Sequence, residues 1–237
     1  MILDESDIEA ENRRHVQSSD AAKQNLKLIS SAVDMLTAVA RLELDEADDV
    51  TFIRLAIRAL NSAGAAGKCA LAGYWQPAVA NVRDLVEIDL LLDLFRRRPA
   101  EIARWRNADD RTLKNEFSGR RLRETLDDLD PKSSEFRRLA YELFSQHGTH
   151  PRPDRVHLIS PDAMTVIGPF PDGDRIIALT FDIARFLSHV TGCVTKWVDE
   201  TRISDPSMKL AYSTKLIEFA LDLAEWTVFD KARRRGT

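Results

Sequence analysis

Residues 77–97 constrain the fold more than any other stretch, because their apolar side chains leave no wide polar face when placed on a helix. The apolar positions are Val82, Leu85, Val86, Ile88, Leu90, Leu91, Leu92, Leu94 and Phe95. A helix that is apolar nearly all round is surrounded by other helices. Pro77 suits the first turn of such a helix. The sequence therefore predicts a central helix inside a multi-helix bundle.

Helical periodicity also dominates the rest of the chain, which makes an all-α fold the expected class. Only nine Gly and nine Pro occur in 237 residues, too few for the frequent turns of a β-sandwich. Ser19 and its neighbours form a plausible N-cap for a helix that ends near Leu42. Two long helices finish the chain, each with an apolar stripe. The stripe of the last helix comprises Leu210, Leu216, Ile217, Ala220, Leu223, Ala224 and Phe229.

The helical period is interrupted around residues 152–177, where we expect a small β-hairpin insertion. Two short β-branched runs, 156–159 and 164–167, flank the turn-forming segment 160–163. With this insertion, residues 19–232 are predicted to form one helical domain. Residues 1–18 are expected to be a flexible acidic arm, and residues 233–237 a basic tail.

The termini and cysteines favour the cytoplasm. The acidic N-terminus lacks the apolar core of a signal peptide. No run approaches the roughly 18 uninterrupted apolar residues of a membrane span. Cys69 and Cys193 lie far apart in apolar segments, as buried free thiols do. We expect no membrane partner and, since no cofactor motif is present, no cofactor.

A glycine-containing segment, residues 61–68, invites comparison with a phosphate-binding loop, Asn-Ser-Ala-Gly-Ala-Ala-Gly-Lys. The spacing of that loop is absent, and the helical period continues through the segment. Small residues at these positions instead predict the close approach of a neighbouring helix.

Local charge is uneven although the net charge is only −4. Residues 96–123 contain ten Lys or Arg against four acids, with Trp105 and Phe117 between them. Two interpretations stay open. The segment is an RNA or phosphate surface, or it is a solvated helical hairpin whose Arg stems cover apolar surface. The candidate phosphate-binding residues are Arg96, Arg97, Arg98, Arg104 and Arg106.

Three of the five histidines, His147, His150 and His157, fall within eleven residues, with Asp154 among them. Imidazole and carboxylate groups on a turn can ligate a transition metal. His147 and His150, however, lie at a predicted helix end, and no His-Glu-x-x-His motif is present. We therefore predict no metal site, and expect these residues to interact with the helix dipole and to fix the hairpin.

Two polar clusters stand out against the apolar core. Arg83 and Glu87 lie one turn apart on the central helix, and Tyr141, Ser145 and His150 lie at the end of a later helix. If the clusters meet, Arg83 would hold an anion or the Ser145 hydroxyl, and Glu87 would orient His150 as an acid/base pair. Alternatively, they form a satisfied polar network that fixes helix packing.

The chain resembles bacterial helical proteins allied to the HEPN superfamily of toxins and abortive-infection proteins. The likeness covers roughly residues 50–155 and rests on two motifs, Arg83-Asp-Leu-Val-Glu87 and the run from Tyr141 to Pro151. It implies a helical bundle, often dimeric, and metal-independent RNA cleavage by an Arg-x4–6-His motif on a late helix. No arginine has that spacing before His147 or His150. The literal match, Arg152 to His157, begins in a Pro-rich loop.

Two functions are predicted from these features. The first is an interaction module of a bacterial defence or toxin–antitoxin system, acting as a homodimer or with a protein partner. The alternative is a divergent metal-independent RNase or nucleotide-binding enzyme that uses the Arg83/Glu87/His150 cluster.

Overall fold

A computed structural model describes residues 4–43, 46–148, 166–198 and 200–235, with only the backbone of 146–148, 202, 234 and 235. Within these residues the chain forms ten α-helices, two short 3-10 helices and no β-strand. The α-helices are α1 (Ser6–Ser18), α2 (Asp20–Ala40), α3 (Ala47–Leu71), α4 (Trp75–Arg97), α5 (Ala100–Arg106), α6 (Asp110–Glu116), α7 (Gly119–Leu129), α8 (Ser134–Gly148), α9 (Gly173–Trp197) and α10 (Pro206–Arg235). The all-α, multi-helix prediction is confirmed.

Helix α4 is the central helix that its composition predicts. Thirteen of its residues are buried, and it packs against α3, α7, α8 and α9. Two of the buried residues, Asp89 and Asp93, are acidic. Burying carboxylates inside an apolar bundle requires partners, because a desolvated charge without one is costly.

Helix α9 is the second core helix and contacts α1, α2, α3 and α4. Among the described helices it has the length and apolar composition of a membrane span, and 61% of its most apolar window is buried inside the bundle. Packing in the core is therefore sufficient to explain why this helix is so apolar.

The prediction of a flexible arm over residues 1–18 is wrong for residues 6–18, which form α1. Asn12 is fully buried in this helix. Its Nδ2 donates to the carbonyls of Ala70 and Leu71 at 3.2 and 3.1 Å, and its Oδ1 accepts from the Asp172 amide at 3.0 Å. These bonds stabilise α1 against the end of α3 and the start of α9.

Most of the predicted hairpin, residues 152–165, lies outside the described residues. In the remainder of the range, residues 166–172 form no strand and residues 173–177 belong to α9. Helix α9 begins at Gly173 because Asp172 caps it: the Asp172 side chain accepts a hydrogen bond from the Arg175 amide at 3.0 Å. Ser19 caps α2 in the same way, as predicted.

Helix α10 packs on the bundle with only part of the predicted stripe, including Leu216 and Leu223. Its buried residues are Tyr212, Phe219, Trp226 and Asp230, whereas Leu210 and Ile217 point to solvent. The Trp226 indole donates to Asn25 on α2 at 2.8 Å, which orients the helix. The predicted basic tail is also helical as far as Arg235. Residues 236–237 lie outside the described residues.

The expected close approach of a helix at the glycines of α3 does not occur. A Cβ added at Gly64 or Gly67 would meet no atom within 4 Å. Both glycines open onto a cavity of about 450 Å³ between α1, α2, α3 and α9. The neighbouring alanines, such as Ala63 and Ala66, do pack in the core.

Candidate functional site

A second cavity, of about 380 Å³, lies where α4, α8 and α9 meet, and it contains most of the buried charge of the bundle. Helix α4 contributes residues 89, 90, 93, 96 and 97 to its lining, and α9 contributes residues 185, 186, 188, 189, 192, 193 and 196. Within each set, residues three or four apart, such as 89, 93 and 96 or 185, 189 and 193, lie on one face of the helix. The two faces lie opposite each other across the cavity.

Asp89 and His189 form the central contact of this site. The Asp89 Oδ1 lies 2.5 Å from the His189 Nδ1. Asp89 is only 6% exposed, whereas the His189 side chain is 54% exposed. The Asp89 charge raises the pKa of His189 against the opposing effect of burial. With Nδ1 held by the carboxylate, Nε2 is the ring atom available to a ligand.

Asp93, one turn further along α4, is bound by two arginines. It accepts hydrogen bonds from Arg96 at 2.7 Å and from Arg97 at 3.0 Å. Burial alone would raise the pKa of Asp93, but the hydrogen bonds from Arg97 and Arg96 outweigh it and the pKa is lowered. Asp93 is therefore ionised and holds both guanidinium groups at the cavity.

The cavity lining holds more cations than acids, although Arg137 also pairs with Asp127 outside the lining at 2.7 Å. It contains five cationic side chains, Arg96, Arg97, Arg137, Arg185 and Lys196, and three acidic ones, Asp89, Asp93 and Asp130. Asp93 and Asp130 each lie within ion-pair distance of an arginine, and Asp89 lies beside His189, which is a cation only when protonated. Lys196 is exposed and forms no ion pair with any described residue. A protonated His189 adds a further charge, so the cavity suits an anionic ligand.

Cys193 completes the cluster, since its Sγ lies within 4.8 Å of ligand atoms of Asp89 and His189. Burial, followed by the Asp89 and Asp93 charges, raises the pKa of this thiol to about 12. Such a thiol is a poor nucleophile near neutral pH. The Arg96 guanidinium also lies beside the sulfur, which disfavours a cation at this donor set.

Arg83 and Glu87 pair with each other within α4, with 2.9 Å between Nη2 and Oε1, and both side chains are partly exposed. Tyr141 packs against Gly119 of α7, with the Arg123 guanidinium 6.0 Å from its ring centroid. Ser145 is half-buried near the end of α8. The predicted contact of Arg83 and Glu87 with His150 lies outside the described residues, as do the metal candidates His157 and Asp154 and the His147 side chain.

Many cations of residues 96–123 bind acids that lie beyond that stretch, so their count overstates the free positive charge. Arg106 pairs with Asp48 at 2.5 Å, and Arg120 with Glu124 at 2.8 Å. Arg104 pairs with Glu101 and Glu116, which belong to the stretch. In contrast, Arg98, Arg111 and Lys114 form no ion pair with described residues. Only Arg96 and Arg97 of the candidate phosphate-binding residues line the cavity.

Sequence reasoning missed Asp89, Asp93 and His189. A signal was present, because two acids one turn apart interrupt the most apolar helix, and a histidine interrupts the apolar stripe of α9. Arg185 precedes His189 with three residues between them, one fewer than the shortest spacing of the HEPN motif. Pairing α4 with α9 required the tertiary structure.

Comparison with known proteins identifies no relative: no protein-family model, curated protein or solved structure matches the chain.

Proposed function

We propose that this protein is a metal-independent RNA-cleaving enzyme whose acid/base residue is His189. The observation that carries the proposal is the Asp89–His189 contact at 2.5 Å, with a half-exposed imidazole in a cavity of net positive charge. An imidazole oriented by a buried carboxylate is a common general acid or base. A cationic lining favours a phosphate group next to it.

His189 acts as the proton donor, because the Asp89 charge raises its pKa and so favours the imidazolium form. The 2′-oxygen of a ribose attacks the adjacent phosphorus, and its proton passes to water. His189 donates its Nε2 proton to the departing 5′-oxygen as the P–O bond breaks. The products are a 2′,3′-cyclic phosphate and a free 5′-hydroxyl. Arg97 and Lys196 stabilise the negative charge that builds up on the non-bridging phosphate oxygens.

The proposal retains the HEPN-like character and cytoplasmic location expected from the sequence, but assigns different residues. His189 replaces His150 as the acid/base residue, and Asp89 replaces Glu87 as the group that orients it. Arg96 and Arg97 remain phosphate contacts, now together with Lys196. RNA is favoured over DNA because the 2′-hydroxyl is the nucleophile.

The test measures binding and cleavage of a short fluorescent single-stranded RNA by the full chain in the presence of EDTA. We expect affinity to fall steeply with salt, and cleavage to leave a cyclic phosphate. His189→Gln should abolish cleavage while leaving the helical content unchanged. Asp89→Asn should reduce cleavage by about ten- to a hundred-fold, because it loosens the orientation of the ring.

His15→Gln is the matched control, since His15 is an exposed histidine on α1 outside the cavity. It should cleave at the wild-type rate. Cleavage by His189→Gln at the wild-type rate would refute the assignment, and the absence of both binding and cleavage in the wild type would refute the function. Wild-type cleavage that occurs only when EDTA is omitted would replace the proposed mechanism with a metal-dependent one.

A second candidate function is an interaction component of a bacterial defence or toxin–antitoxin system. It is favoured by large apolar side chains that α10 exposes to solvent at Leu210, Ile217, Leu221 and Val228. If the wild type neither binds nor cleaves RNA, association through this face becomes the leading function. Its test is the mass of the protein in solution, wild type against a variant with a charge on that face.

A further inference from the structure

The cavity of about 450 Å³ between α1, α2, α3 and α9 lies on a different face of α9 from His189. Its volume is in the usual range of small-molecule sites, about 300–1,000 Å³. Most of the wall residues on α2 and α3 are partly exposed, and Leu26 is 42% exposed, so the cavity opens to solvent. Its floor is a row of buried α9 residues at helical spacing, Ile176, Leu179, Thr180, Ile183 and Leu187.

The interior of this cavity accepts only an apolar group. Among the described residues that line it, three have polar side chains, Arg13, Gln17 and Thr180, and of these Thr180 alone belongs to the floor. The Thr180 hydroxyl donates to the Ile177 carbonyl at 2.8 Å and accepts from the Asn25 Nδ2 at 3.1 Å. A polar atom of a ligand would find no partner on the floor, and burying it there would be costly.

The opening of the cavity, in contrast, offers donors for an anion. Arg13 and Gln17 are exposed and lie one turn apart on α1, so their side chains are neighbours. Arg13 is the single charged residue among the described lining residues. Its Nη2 lies 3.6 Å from Glu9, whose carboxylate is bound more closely by Lys68, at 2.6 Å. The guanidinium therefore keeps N–H donors for a carboxylate of a ligand.

We propose that this cavity binds a medium-chain fatty acid, with its hydrocarbon chain along the α9 floor and its carboxylate on Arg13 and Gln17. The α3 wall sets the length of the chain. It extends from Leu60 to Leu71, about 17 Å of helix, which matches an extended fatty acid of about twelve carbons. The site shares no residue with the Asp89–His189 cavity, so the proposal is independent of RNA cleavage.

The width of the cavity favours a single hydrocarbon chain over a partner helix or a lipid surface. A helix with its side chains is about 10 Å across, so about 17 Å of it would fill about 1,300 Å³. That volume is about three times the volume of the cavity. Gly64 and Gly67 provide the space that does exist, because a Cβ added at either would meet no atom within 4 Å. The apolar floor is buried, so a single chain can reach it and the surface of a bilayer cannot.

The experiment is isothermal titration calorimetry of the full-length protein with sodium dodecanoate. We expect a dissociation constant on the order of 10 µM, and each methylene removed from the ligand should weaken binding about fourfold. Arg13→Gln should weaken dodecanoate binding about tenfold and leave the binding of uncharged 1-decanol unchanged. Arg14→Gln is the matched control, because Arg14 is an exposed α1 residue that does not line the cavity, and it should bind dodecanoate as the wild type does.

Gly67→Leu should fill the cavity and abolish binding of both ligands. If this variant does not fold, a series of fatty acids decides, because affinity should rise up to about twelve carbons and then level off. A bound ligand should also raise the Tm, whereas a detergent effect would lower it.

Three results would overturn the proposal: a wild type that does not bind dodecanoate at about 1 mM, an Arg13→Gln variant that binds it as tightly as the wild type, or a folded Gly67→Leu variant that still binds it. An affinity that keeps rising with chain length, or a lowered Tm, would also overturn it, since either indicates adsorption to apolar surface. RNA cleavage is assayed separately, so the failure of one proposal leaves the other standing.

Discussion

His189 on α9 and Asp89 on α4, 100 residues apart in the sequence, meet with 2.5 Å between Nδ1 and Oδ1. The contact joins the two most buried helices of the bundle at the edge of a cavity. It also couples the protonation of an accessible imidazole to a buried carboxylate. The first prediction concerns this coupling.

The pKa of His189 should lie above its usual value of 6.5 in the wild type and fall in Asp89→Asn, because the Asp89 charge is the main cause of the increase. The stability that this pair contributes is fully present below the unfolded pKa. It is lost as the pH rises through the higher folded pKa. RNA cleavage should decline over the same rise. Nuclear magnetic resonance titration of the imidazole protons measures the pKa, and an identical value in both proteins would contradict the coupling.

Asp93→Ala should destabilise the fold by about 3 kcal/mol, because it leaves Arg96 and Arg97 without the buried carboxylate that binds both. Chemical denaturation followed by circular dichroism measures the change. Glu124→Ala is the control, since Glu124 binds Arg120 and Arg121 at the surface. Its denaturation midpoint should not change. If both substitutions changed the unfolding free energy equally, burial would not be what makes the bonds of Asp93 to Arg96 and Arg97 strong.

Gly64→Ala and Gly67→Ala should each stabilise the protein by about 0.5–1 kcal/mol, because both glycines lie inside α3 and an added Cβ would meet no atom within 4 Å. Thermal unfolding measures the gain. Gly119→Ala should do the opposite, since its Cβ would lie 2.5 Å from Cε2 of Tyr141. A loss of stability at Gly64 or Gly67 would mean that the cavity beside them is smaller than the structure shows.

Asp182→Asn should stabilise the protein at alkaline pH. Burial raises the pKa of Asp182 to about 7 from 3.8, and Arg185 opposes the increase only in part. The stability associated with this carboxyl is therefore present below its unfolded pKa and is lost as the pH rises through about 7. The variant should exceed the wild type by about 2–4 kcal/mol near pH 8 and match it near pH 4. Chemical denaturation at both pH values tests this. The same difference in unfolding free energy between variant and wild type at the two pH values would contradict it.

The sequence was sufficient for the fold class and for the position of α4, because local periodicity and the near absence of polar positions in residues 77–97 leave few alternatives to a buried helix. It was also sufficient for the cap at Ser19, which acts over three residues of chain. It failed at α1, whose ordering depends on Asn12 bonding to carbonyls 58 and 59 residues away.

The candidate site was beyond the reach of the sequence because its chemistry depends on which helices become neighbours. Arg83 and Glu87, one turn apart, were found by spacing alone, and they do pair. Asp89 and His189 required the packing of α4 on α9, which periodicity does not specify. The orientation of α10 was decided in the same way. Both of its faces have apolar residues at helical spacing, and only the bonds and contacts with α2 and α9 determine which face is buried.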